Sequence, residues 1–171
     1  MAMKHNKKIK ADIAKSGQRC LIWRYTYSEY AVNFKLSLNK YINLSDKWLT
    51  KFVLVWCSVS LVIGLYAIDD LALAIAAPLM TLFMYFAAMA MLIFVIGFQR
   101  INPFNSPNSK FVEYATIFFW GCGILGFISS LMAGIFQTTG IDNSKYFLIV
   151  ASAFPLGIAL GATKEWKKLS L

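Results

Sequence analysis

The residues of this chain that could do chemistry are few and widely spaced. Asp69 and Asp70 stand side by side, and two adjacent carboxylates can hold a metal or another cation. They lie between two long apolar runs, where they read as the solvated acids of a tight helical turn. His5 is the single histidine and sits in a basic tail with no second ligand nearby, which does not make a metal site. Cys20, Cys57 and Cys122 are odd in number and two of them fall within apolar runs. They read as small packing residues in a reducing or lipid setting, not as a disulfide framework. There is no Ser/His/Asp arrangement, glycine-rich phosphate loop or metal-ligand spacing. The chain is therefore expected to be no enzyme and to need no cofactor.

Other spacings point to surfaces. Cys122, Gly126, Ser130 and Gly134 recur every fourth residue, and Ala153, Gly157 and Gly161 repeat the device further on. Small side chains at that interval let helix backbones approach closely in lipid. These two grooves are expected either to pack against each other within a subunit or to form a subunit interface or pore-lining seam. A third pattern lies near the start. Trp23, Tyr27, Tyr30, Ala31, Phe34, Leu38 and Tyr41 fall at steps of three and four, with Arg24 and Lys35 off that face. An aromatic and basic helix of this kind can lie at a bilayer surface or pack on a second copy.

The elements that must position these residues are set by hydropathy. Hydrophobic residues make up 58% of the 171, and mean hydropathy is +0.59. Leu71 to Phe98 is 28 residues without a charge, whereas about 20 apolar residues suffice to cross a bilayer core. The expected fold class is an all-α polytopic membrane protein with four transmembrane helices, over 48–68, 71–98, 114–136 and 146–163. Residues 1–47 form a basic segment with the amphipathic helix, and 164–171 form a basic tail. Gly17 should break the early helix, and Asn43 to Asp46 should supply a turn, with Ser45 as N-cap. Pro78 can kink the second span, and Pro155 lies within the fourth. Trp48, Lys51, Arg100 and Trp166 are expected to anchor span ends at the membrane surface. The long second span reads as the scaffold of the membrane domain.

Charge gives the orientation. With four spans, 16 of the 17 Lys and Arg residues fall on the side of the termini, leaving only Lys145 opposite. The positive-inside bias then places both termini in the cytoplasm of a bacterial inner membrane. Much of the net charge of +9 is thus a topology signal, and no specific nucleic-acid binding is expected. No hydrophobic core precedes Leu21, so the start is no secretory signal peptide and the first span must direct insertion. The charged residues all fall at span ends, which counts against ion-coupled transport.

The stretch IWRYTYSEYAVNFKLSL, a span bearing Ser58 and Ser60, and a tight hairpin into a second span follow one another. This order resembles SLATT domains, two-helix membrane effectors found beside nucleotide-signalling genes in bacterial defence systems. The likeness covers about Leu21 to Phe98, and Trp23, Ala31 and Leu36 are the residues that invite comparison. The chain departs from that family by adding two spans where the family continues as soluble helix. The resemblance implies an oligomeric pore that damages the host membrane on activation.

The expected function is a small oligomeric channel or pore-forming effector gated through its N-terminal segment. The alternative is a non-conducting immunity, exclusion or sensor protein that binds a partner. Expected partners are the lipid bilayer, further copies of the chain, and a nucleotide or protein regulator at the N-terminal segment.

Overall fold

The computed structural model describes residues 2–101, 110–137 and 142–169, and the side chains of 32–99, 101, 110–137 and 143–169 among them. Every regular element there is a helix: α1 (Ala2–Ala67), α2 (Leu71–Ile101), α3 (Lys110–Ile135), α4 (Asp142–Ala151) and α5 (Leu156–Leu169). Four stretches are long and apolar enough to cross a membrane: Val32–Ala67, Leu71–Gln99, Lys110–Ile135 and Asn143–Leu169. The all-α class and the four apolar helices expected from the sequence are therefore present. The chain divides into two compact units, Met1–Tyr41 and Ile42–Leu171.

Three expected boundaries differ. Neither Gly17 nor Asn43 to Asp46 interrupts α1, which is helical from Ala2 to Ala67. Polar residues end a helix only when their side chains compete for the backbone, and here two of them are engaged elsewhere. Ser45 accepts a hydrogen bond from Trp120 Nε1 at 3.1 Å, and Asp46 pairs with Lys167. Ser45 therefore caps no helix start, and the side-chain cap seen here is that of α2, where Asp70 Oδ1 accepts from the Leu73 N–H at 3.1 Å. This is the bland reading of the acid pair, a capped turn. Among the described residues no group of His, Cys, Asp and Glu is arranged to hold a metal.

The fourth span is not one helix, and it runs on past Thr163 to Leu169. A turn over Ser152 to Pro155 separates α4 from α5. Proline can neither donate nor fit beside the preceding turn of an α-helix. The chain answers with tighter bonds: the N–H groups of Ala153, Phe154, Leu156 and Gly157 each reach a carbonyl three residues back, at 2.9–3.4 Å. The break is buried in protein, where irregular backbone among apolar spans is tolerated.

Pro78, by contrast, sits inside an unbroken α2. Its missing N–H would have bonded the carbonyl of Ala74. That carbonyl accepts from the Tyr146 hydroxyl at 3.1 Å, and the same hydroxyl lies 3.0 Å from the Ser60 carbonyl of α1. Gly64 makes the approach feasible, because a Cβ there would collide with the Tyr146 ring, 2.7 Å from Cζ. One phenol thus joins α1, α2 and α4 close to the Asp69–Asp70 turn.

The centre of the second unit is α5 rather than the long α2. Leu156, Ala159 and Leu160 are buried in one cluster with Leu49, Val53 and Cys57 of α1 and Tyr85 of α2. Ala162 joins Leu92 and Ile96 of α2 and Val112 of α3 in a second. The fourth span is 61% buried, against 22% for the second, so the second is one wall of a bundle built around the last helix.

Replacing Tyr146 by Phe is expected to cost about 1–3 kcal/mol, because buried carbonyls lose their donor. Part of that cost should vanish with Pro78→Ala, which returns an N–H to the Ala74 carbonyl, giving a coupling of about 0.5–3 kcal/mol. Unfolding of the single and double variants in detergent checks this, and strictly additive effects would break the link between the proline and the phenol.

Candidate functional site

The small-residue grooves are the first candidate, and the structure places both inside the subunit. On α3, Gly134 is buried, and a Cβ added there would lie 3.0 Å from Ile149 Cγ1 and 3.2 Å from the Ile149 nitrogen. Gly126 sits 3.0 Å from Pro155 Cβ, measured from where its own Cβ would be. Ser130 is half-buried on the same helix, but Cys122 is exposed. Its place is taken by Gly123, where a Cβ would lie 2.6 Å from the Ala159 nitrogen and 2.8 Å from the Pro155 carbonyl oxygen. The groove of α3 therefore runs Gly123, Gly126, Ser130, Gly134 and cradles the α4–α5 break.

The second groove faces elsewhere. Ala153 is fully buried in the central cluster. A Cβ added to Gly157 would lie 2.9 Å from the Tyr85 carbonyl carbon, and one added to Gly161 would lie 2.9 Å from the Met89 carbonyl oxygen. Both glycines face α2, not α3. The two grooves consequently do not pack against each other: α5 uses one side for α3 and another for α2. At Gly157 the absence of a side chain is what permits helix–helix contact, since backbone meets backbone there.

A polar cluster occupies the end of the bundle remote from the Asp69–Asp70 turn. Lys167 of α5 pairs with Asp46 of α1, and Lys168 Nζ lies 2.6 Å from Glu165 Oε1. Glu165 is fully buried. The Asp46–Lys167 pair ties this end of α5 to α1, while the Glu165–Lys168 pair lies within α5 itself. Further in, Thr50 Oγ1 and the Tyr85 hydroxyl are 3.2 Å apart, linking α1 to α2. Glu165 lies beyond Thr163, in the last turns of α5.

Of the expected anchors, Trp48 and Lys51 are exposed. Trp166 is 5% exposed and belongs to the core rather than to a surface belt. Arg100 lies in α2, with its side chain outside the described set. In the N-terminal segment, Phe34 and Lys35 are exposed and Leu38 is half-buried. Trp23, Arg24, Tyr27 and Tyr30 are in α1, with side chains outside the described set.

A cavity of 470 Å³ lies between α2, α3 and α5, lined by Met84, Ala88, Met91, Phe119, Phe154 and Ile158 among others. A second, of 210 Å³, shares Met84 and Phe154 and adds Met80 and Phe147. Both are walled almost wholly by hydrocarbon and thioether groups, which suit adaptable apolar packing and offer an ion nothing to bind.

Sequence reasoning missed Gly123, Tyr146, Glu165 and the Asp46–Lys167 pair. Gly123 was visible in principle, since it is three residues from Gly126 and continues the row one position off Cys122. The other partners are separated by scores of residues in the chain, and no local spacing announces them. Comparison with protein-family models, with curated proteins and with solved structures finds no match.

Gly157→Val should destabilise the bundle by about 1–3 kcal/mol or more, because the new methyls must push α5 off the Tyr85 backbone. Gly121→Val, where a Cβ meets nothing within 4 Å, is the matched control and should change little. Melting of the two variants in detergent separates them, and equal stability would deny the close α2–α5 approach.

Proposed function

We propose that the chain is a multi-pass protein of a bacterial inner membrane, with both termini cytoplasmic, that assembles as a homo-oligomer and forms a channel or pore. The observation that carries the reading is α1 itself, unbroken between the basic N-terminal segment and the first span. A regulator that binds the segment, whether a nucleotide or a protein, then needs no separate coupling element: turning or pulling the helix moves the span. A conduction path between subunits fits the packed interior of the second unit. Hydrophobic constrictions at such a seam can gate by dewetting, without charged groups. The resemblance to membrane effectors of bacterial defence supplies the biological setting, in which opening depolarises the host.

The same packed interior also suits a protein that conducts nothing and recognises a partner, the immunity, exclusion or sensor reading. Conductance decides between them. Expression of the full chain should collapse the signal of a membrane-potential dye, and the purified protein should give discrete currents in planar bilayers. A variant lacking residues 1–41 should have lost regulated opening. An unchanged potential together with silent bilayers would sink the pore and leave the binding protein.

A further inference from the structure

The larger of the two cavities has the proportions of a slot. One wall is α2, with Met84, Ala88, Met91 and Val95, and the other is Phe119 of α3; Phe154 of the α4–α5 turn and Ile158 of α5 form the floor. Ala87 and Ala88 make the hollow, since a larger side chain on that face of α2 would fill it. Met84 and Met91 on its rim are 43% and 70% exposed, so it opens on the outer surface of the bundle. The smaller cavity continues it past Met84 and Phe154 to Met80 and Phe147. Shared over the roughly 22 Å of α2 from Met80 to Val95, the two volumes leave a cross-section on the order of 30 Å². The two ends differ. Leu92 and Ile96 of α2, Val112 of α3 and Ala162 of α5 pack together and close the slot near Val95. Beyond that plug come Arg100 in α2, Lys110 at the start of α3 and the exposed Lys164 of α5. Val95 stands about 9 Å of helix from the last residue of α2, and Met84 about 20 Å from its first, next to Asp69 and Asp70. The slot therefore belongs to the basic half of the bundle.

We propose that the slot holds one acyl chain of an anionic phospholipid, drawn from the leaflet on the basic side of the bundle. The inference goes beyond the proposed function and rests only on its membrane part, not on conduction or assembly. The occupant follows from size, depth and charge. A cavity lined this way stays dry, and left empty it forfeits dispersion contacts along its whole lining. A helix from a second copy, 10–12 Å wide with its side chains, has a cross-section of about 80 Å² or more and cannot enter. A single hydrocarbon chain can. From Met84 to Val95 the slot runs about 16 Å, and one leaflet supplies about 15 Å of the hydrocarbon core. The thioethers of Met84 and Met91 adapt to a chain that changes shape. Because the Leu92–Val112 plug closes the end, the chain enters from the side. Its headgroup stays at the surface, where the surrounding bases favour negative charge.

Photolabelling in vesicles tests it. The full chain is reconstituted in phosphatidylethanolamine with phosphatidylglycerol that carries a diazirine midway along one acyl chain, and adducts are mapped by mass spectrometry. The half-buried Phe154 and Ile158 should be labelled in several-fold higher yield than Phe83 and Phe94, although these are 71% and 72% exposed. Ala88→Phe fills the slot and should lower the Phe154 and Ile158 yields several-fold while leaving Phe94 as it was. Ala90→Phe, off the slot on the same helix, should change neither. The first contrast is read within the unaltered chain, so it decides the matter whatever the folding of the variants. The same diazirine on phosphatidylcholine or on a free fatty acid should label the slot less, and equal yield from either would overturn the anionic headgroup. Labelling in proportion to exposure, or crosslinks between two chains at the slot in place of lipid adducts, would overturn the site and keep the membrane reading. A chain without adducts anywhere would remove both.

Discussion

The arrangement depends on a rule of apolar surroundings: a backbone carbonyl that loses its own helix's donor must find another. Pro78 creates such a carbonyl at Ala74, and the Tyr146 hydroxyl answers it. To do so the phenol must reach α2 past α1, and Gly64 leaves the space. Three helices are thereby fixed at one point by a demand that arises in only one of them. Nearby, Ala77 and Val150 are buried around the same ring. The cost of leaving a buried carbonyl unmet, about 1–3 kcal/mol, exceeds what any single apolar contact there contributes. Polar satisfaction therefore sets the register of this end, and packing follows.

At the other end the determinant is closeness. Because α5 presents Gly157 and Gly161 to α2 and Ala159 to Gly123 of α3, it can lie against both neighbours with backbone contact. A helix with bulky residues at those places would stand a full side-chain layer away and could not be central. The break at Pro155 lies in the same contact, against Gly123 and Gly126 of α3. The Lys167 pair with Asp46 then holds the last turns to α1, and Lys168 pairs with Glu165 within the same helix.

The sequence made the class legible because bilayer-length apolar runs are a local property: four of them can be counted without knowing any contact. It also made the small-residue rows legible, as spacing along one helix. Which helix each row faces was not legible. Gly157 reads the same whether it meets α2 or α3, and Cys122 outranks Gly123 on period alone although only Gly123 is covered. The acid pair at Asp69–Asp70 was read correctly as a turn because both flanks were apolar. The turn expected at Asn43 to Asp46 failed because its polar groups are taken by Trp120 and Lys167, residues far along the chain. Pairings of that kind depend on the finished bundle, and periodicity carries no trace of them.

The Tyr146 clasp also has a consequence for how the chain is made. A ribosome releases Pro78 well before it reaches Tyr146, so the first two apolar helices exist for a time with the Ala74 carbonyl awaiting its donor. Until the last pair of helices arrives, the nascent hairpin is a polar defect in whatever surrounds it, and water, a lipid headgroup or an insertase must stand in. The protein's first half is thus chemically incomplete on its own. A chain cut short before α4 would leave the Ala74 carbonyl without the phenol that meets it.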